Sequence, residues 1–161
     1  MELIEITEVN DVLAQMVAQF RVELRSYKGI VSKPNVEAGR EEMEEYLAAK
    51  FPVFAATVGG EYAGYVVCRI DNQVVWVESI FVREEYRRRG VASALHSKAE
   101  EIAASYGNDT VYNYVHPNNH RMIALLRKRG YTVLNLIEIR KPYKGEKLTQ
   151  VIQVGEHEFD Y

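Results

Sequence analysis

A single cysteine, Cys68, stands in 161 residues, so no intramolecular disulfide can form and neither a secreted disulfide scaffold nor a four-cysteine zinc site is available. No apolar run approaches the roughly 18 residues that a membrane-spanning helix needs, and the first apolar stretch, within Met1 to Glu8, carries acids. Internal repeats and low-complexity segments are also missing. Together these absences predict a soluble, cytoplasmic protein with no membrane partner. Positive charge is in short supply as well: the formal net charge is −3 at pH 7, which disfavours nucleic acid as a general partner.

What is present is the material of one globular domain, residues 1–161, with 47% hydrophobic residues and enough length to bury about 70% of the unfolded surface. A strand is expected over Leu3 to Thr7. Asn10 or Asp11 then caps a helix whose Val12, Leu13, Met16, Val17, Phe20 and Leu24 recur at helical spacing as far as Lys28. A loop from Gly29 to Asn35 leads into an acid-rich helix over Val36 to Lys50. Three β-like runs follow, Val53 to Val58, Tyr62 to Ile70 and Val74 to Val82, separated by Gly59-Gly60 and Asp71-Asn72, which are turn residues. The third run is almost continuously apolar, as in a central strand covered on both faces; Glu78 interrupts it. The rest predicts a helix over Gly90 to Tyr106, a strand over Thr110 to Val115, a helix from the Pro117-Asn118-Asn119 turn to Gly130, and strands over Tyr131 to Arg140 and Leu148 to Val154.

The junction between the third run and the next helix reads Val82-Arg83-Glu84-Glu85-Tyr86-Arg87-Arg88-Arg89-Gly90-Val91-Ala92. A helix N-terminus presents unpaired N–H groups and the positive end of the helix dipole, so anions bind there readily. Gly90 removes a Cβ where a ligand must approach the backbone, and Ala92 keeps the first turn slim. From Tyr86 through Ala99 there is no acidic residue, although helices commonly place Asp or Glu in the first turn. A Walker-type loop is excluded because Gly90 is not followed by Lys and Ser or Thr. Three adjacent arginines on an acidic chain are too small a footprint for nucleic acid.

Arg87-x-x-Gly90-x-Ala92 resembles the R/Q-x-x-G-x-G/A motif of the GNAT acetyltransferases. The stretch Val115 to Tyr131 is similar to that family's second signature, with Asn119, Leu125, Lys128, Gly130 and Tyr131 at the matching places. The resemblance implies the α/β (α+β) GNAT fold, a mixed central sheet of about seven strands whose fourth and fifth strands splay apart, flanked by four helices. It also implies acetyl-coenzyme A as cosubstrate and an amine acceptor. The backbone of Ile80, Phe81 and Val82 would hold the pantetheine arm and a main-chain N–H there the oxyanion. Arg87, Arg88, Arg89, Gly90, Val91 and Ala92 would cradle the pyrophosphate, and Asn119 would contact the cofactor as well as cap its helix. Homodimerisation is common in this fold and stays open.

Acetyl transfer to an amine needs a neutral nucleophile, a stabilised oxyanion and a proton for the departing thiolate. Glu78, set on one strand face with Trp76 and Ile80, is expected to be buried and so to have a raised pKa. It resembles the Glu that several amine acetyltransferases of this family place before the phosphate loop as general base; a plain carboxylate paired with Arg69 is the competing reading. The family's usual acid, a Tyr, is replaced by Leu126, so either another group such as Tyr112, Tyr114 or His116 serves or the thiolate leaves with water's help; the change also motivates a noncatalytic acetyl-coenzyme A-binding regulatory domain as the alternative. His116 and His120 have the spacing of a helical metal pair, but Pro117 lies between them and no third ligand follows, so no metal is expected. The acceptor is left to the two N-terminal helices, the loop Arg25 to Asn35 and the turn Lys141 to Lys147.

Overall fold

A computed structural model describes all of residues 1–161. The elements run β1 (Glu2–Glu5), α1 (Asp11–Ser26), α2 (Val36–Ala48), β2 (Val53–Val58), β3 (Glu61–Asp71), β4 (Val74–Val82), a 3-10 turn (Glu84–Tyr86), α3 (Val91–Ser105), β5 (Tyr112–Asn113), α4 (His120–Lys128), β6 (Val151–Val154) and β7 (His157–Asp160). Chain contacts divide into two compact units, residues 1–130 and 131–161. In the first, β1-β2-β3-β4-β5 form one sheet, antiparallel except for the parallel β4–β5 pair.

Local chemistry accounts for the helix starts. Asn10, rather than Asp11, accepts the Leu13 N–H at 2.9 Å, Asn35 accepts Ala38 N–H at 3.1 Å, and Asn119 accepts Met122 N–H at 3.1 Å. Leu13, Met16 and Val17 of α1 and Met43 of α2 bury against Val53, Ala55, Tyr65, Val67 and Phe81 of the sheet. Each such side chain contributes about 1.5–3 kcal/mol on leaving water. α1 and α2 approach closely because α2 has Gly39, where a Cβ would lie 2.3 Å from Ala14 O and 2.9 Å from Ala18 N. α3 lies on the other sheet face, since its Lys98 sits 5.1 Å over Phe54, which points away from Val53 and Ala55.

Three expectations are corrected. The strand foreseen over Thr110 to Val115 shortens to Tyr112–Asn113, because β5 pairs with β4 only there. No strand forms over Tyr131 to Arg140; Val133, Leu134, Leu136 and Ile139 are exposed, and alternation supplies propensity without the partner ladder that a strand requires. The strand expected over Leu148 to Val154 is Val151–Val154, paired in a hairpin with His157–Asp160 that the sequence reading missed although Gly155-Glu156 is a two-residue turn with Gly155 at φ +61°. The count is therefore a five-stranded sheet and a separate two-stranded one rather than a single sheet of seven. The four expected helices are all present.

Candidate functional site at the open edge of β4

β4 is paired differently along its two edges. Toward β3 the register runs from Val74↔Asp71 to Val82↔Gly64, and it slips once: Ser79 pairs with Val67 and Val77 with Cys68. Glu78 is thereby the extra residue of a β-bulge, the kind of irregularity that re-aims a side chain. The slip overturns the face expected of Ile80 and leaves Glu78 on that of Trp76. Trp76 pairs with Arg69 and so shares the α1/α2 face with Val67 and Tyr65, whereas Ile80 pairs with Val66 on the α3 face. Glu78 turns to the α1/α2 side, where Arg69 Nε donates to its Oε2 at 3.0 Å. At 31% exposure and with that partner, the carboxylate is not the buried, unpaired group expected from the sequence.

Toward β5 the pairing stops after Trp76↔Tyr112 and Val77↔Asn113, so β4 continues from Glu78 to Val82 with no strand beside it. This open edge runs directly into the loop before α3. There Gly90 holds φ +83° and a Cβ would meet nothing within 4 Å, while Arg88 holds φ +62°. The first α-helical bond of α3 is Ala94 N–H to Gly90 O at 3.0 Å, which leaves the amides of Val91, Ala92 and Ser93 outside the ladder. The first turn has neither an acid nor a side-chain cap. The loop of residues 83–90 joins Ile80, Phe81 and Val82 at the end of β4 to Val91 and Ala92, and Gly90 in it has open space where a Cβ would be.

The three arginines divide. Arg88 and Arg89 are exposed, make no ion pair, and stand beside the helix start, Arg89 over the Tyr86 ring at 5.8 Å. Arg87 turns inward: its Nε donates to Val82 O at 2.8 Å, its terminal nitrogen pairs with Glu23 of α1, and its guanidinium covers Phe81 at 5.6 Å. Its side chain ties α1 to the end of β4 instead of joining the cradle. Asn119 uses Oδ1 as a cap, which leaves its Nδ2 as a donor.

Around this junction the remaining polar groups are locked. Tyr65 shares a 2.8 Å hydrogen bond with Ser79 beside the bulge, and burial pushes its phenol far above the ordinary range. Arg21 Nε donates to Glu42 Oε2 at 2.6 Å and Tyr46 donates to Glu42 Oε1 at 2.6 Å. Burial, then the Glu42 bond, raises the Tyr46 phenol. Arg21 and Glu42 also line a cavity of about 510 Å³ together with Arg25, Lys33 and Asn35, within the segments to which acceptor choice was assigned. Cys68 is buried and its thiol is pushed up to about 12, which makes it a core residue rather than a nucleophile. Leu126 is buried at 7%. His116 stacks on Tyr27 at 5.5 Å and accepts the Asn118 N–H at 3.2 Å; burial lowers its pKa. No group of three or more His, Cys, Asp or Glu side chains is placed to hold a metal ion, and no helix is long and apolar enough to cross a membrane.

The family model of the acetyltransferase (GNAT) family matches residues 18–131, well over half of the chain. The chain belongs to that family. Its relatives include an N-alpha-acetyltransferase of Sulfurisphaera tokodaii, 32% identical over 110 residues, a match that spans 60% of this GNAT chain and 64% of that protein's length. Among solved structures, the aminoglycoside N-acetyltransferase AAC(6')-Iy with a bisubstrate analogue superposes with a TM-score of 0.62 at 22% identity, covering 88% of this chain and 98% of the other. An aminoglycoside 6'-N-acetyltransferase of Acinetobacter haemolyticus gives 0.62 at 19% identity over 89% and 99%. At those identities the structures share the GNAT fold.

Proposed function

We propose that this protein is an N-acetyltransferase that carries an acetyl group from acetyl-coenzyme A to a primary amine, with Glu78 as general base. The observation that carries the reading is the continuity between an unpaired edge of β4, Glu78 to Val82, and an acid-free helix N-terminus at Gly90. A long, thin thiol-bearing arm ending in phosphates fits that sequence of sites: backbone pairing along the open edge, then N–H donors and two free cations, Arg88 and Arg89. The relative with N-alpha-acetyltransferase activity and the aminoglycoside enzymes that share the fold act on amines, which supports an amine acceptor without choosing one.

In this reading Glu78, aimed by the bulge, accepts the proton released as the amine forms its N–C bond to the thioester carbonyl. A main-chain N–H near Ile80 or Phe81 would hold the carbonyl oxygen as it gathers negative charge, and the C–S bond then breaks. Leu126 has no proton to give, so the thiolate takes its proton from another side chain or from water. Glu78→Gln keeps size and polarity and removes the base. With a suitable amine it should lower kcat by about 10²–10⁴-fold, with the KM for acetyl-coenzyme A unchanged. Undiminished turnover in that variant would remove Glu78 from the mechanism. Tight acetyl-coenzyme A binding with no transfer to any amine, peptide or aminosugar would favour the noncatalytic reading that Leu126 motivates.

A further inference from the structure

On the α1/α2 face, one row crosses three strands. Arg69 of β3 stands opposite Trp76 of β4, which stands opposite Tyr112 of β5. The Trp76 and Tyr112 rings lie 4.8 Å apart, and Tyr114, next on the same face of the chain, stacks on Trp76 at 4.9 Å with 13° between the planes. Tyr114 is 59% exposed, so the outer face of this stack is open to solvent. The end of the row nearest β3 holds a cation already. The Arg69 guanidinium lies 5.2 Å over the Trp76 ring and donates to Glu78. An aromatic face and a carboxylate closing on one positive charge is the chemistry that recognises an ammonium group.

Resting on the acetyltransferase reading, we propose that the acceptor is a polycationic amine: the Arg69 guanidinium occupies in the free protein the seat between Trp76 and Glu78 that one ammonium of the acceptor takes, while a second positive centre lies over the Tyr112 and Tyr114 rings. Arg69 swings aside as the acceptor enters, and Glu78 exchanges one cationic partner for another, so its charge stays compensated throughout. A single ammonium gains only what Arg69 gives up. Two charges gain more, because the second rests on ring surface that no cation of the protein covers. The same chemistry is offered by a linear polyamine and by an aminosugar, whose flat ring faces also stack on aromatics.

Trp76 is the only tryptophan, so its fluorescence reports on this seat without requiring turnover. The full chain is titrated with spermidine, with neamine and with n-butylamine at fixed ionic strength. Spermidine, neamine or both should change the emission saturably and bind at least about tenfold more tightly than n-butylamine; which of the two does so names the source. Tyr114→Leu, a substitution at an exposed position, should weaken the polycation by about threefold and leave n-butylamine unchanged. Arg69→Leu should tighten the polycation, since the competing guanidinium is gone, and Arg69→Lys should behave like the parent. Equal affinities for the three amines, or weaker polycation binding in a folded Arg69→Leu, overturn the proposal. Saturable polycation binding without any acetyl transfer would instead sink the acetyltransferase reading and leave the seat standing. Transfer to monoamines with no polycation preference would sink the seat alone.

Discussion

The two edges of β4 are paired over very different lengths. Along β3 the ladder holds from Val74 to Val82 with one slip, and Gly64 lets the strands close so tightly that a Cβ there would sit 2.5 Å from Phe81 O. Along β5 it holds for Trp76 and Val77 and then ends. One strand thus serves as scaffold on one side and as a docking edge on the other. The stiffness of the first is what allows the second to stay open, because an unpaired strand with no firm neighbour would lose its extended shape. The bulge at Glu78 lies at the crossover, where the closed ladder slips and the open edge begins.

The comparison can be broken from the closed side. Gly64→Ala should cost about 1–3 kcal/mol of stability by forcing β3 away from β4, read as a fall in the denaturant midpoint. Gly39→Ala should cost a similar amount at the α1–α2 contact, since Ala14 O is a backbone atom that cannot step aside. Gly39→Ala should leave acetyl-coenzyme A affinity unaltered in the fraction that stays folded. The open side should answer in the opposite sense. Replacing exposed Arg88 and Arg89 together by Ala should leave stability within about 0.5 kcal/mol and weaken acetyl-coenzyme A by about tenfold, more at low salt than at high.

The smallest effect concerns the buried support behind β5. His96 of α3 is fully buried; its Nδ1 takes a hydrogen bond from Arg129 Nε at 3.2 Å and lies 3.5 Å from Glu100 Oε1, and its Nε2 faces Asn113 Oδ1 at 3.1 Å. Burial, the largest cause, lowers its pKa from the ordinary 6.5. The unfolded chain therefore binds the proton first, and this contribution to stability is complete above about pH 6.5 and declines as pH falls toward the lower folded pKa. Melting temperature should drop on acidification through that window, and His96→Gln should flatten the dependence while lowering stability at neutral pH.

Much of this was legible in the sequence because it is written locally. β2 and β4 have the expected ends, and Asn10, Asn35 and Asn119 cap as such residues do. Gly90 was read as a residue without a Cβ at a helix start, and α3 does begin directly after it; its left-handed φ of +83° was not foreseen. What was not legible depends on partners distant in the chain. Period-two counting set Glu78 on the face of Trp76, where it lies, but the bulge there exists only in the register with β3, so the same counting carried Ile80 to the wrong face. Arg87 looked like one of three equivalent cations, but Glu23, which claims it, lies 64 positions away. The Trp76, Tyr112 and Tyr114 cluster needed the parallel pairing of β5, and Tyr131 to Arg140 carries strand propensity with no ladder to join.

The central claim is that the open edge and the α3 N-terminus form one site for acetyl-coenzyme A. Calorimetric titration of the purified protein with acetyl-coenzyme A, beside Gly90→Glu, tests it most directly, because that substitution puts a carboxylate and a strained left-handed residue into the cradle without touching the core. Saturable binding by the parent and its loss in a variant that melts as a folded protein is the expected result. A folded parent that takes up no acetyl-coenzyme A, or a Gly90→Glu variant that binds it as tightly, would contradict the account.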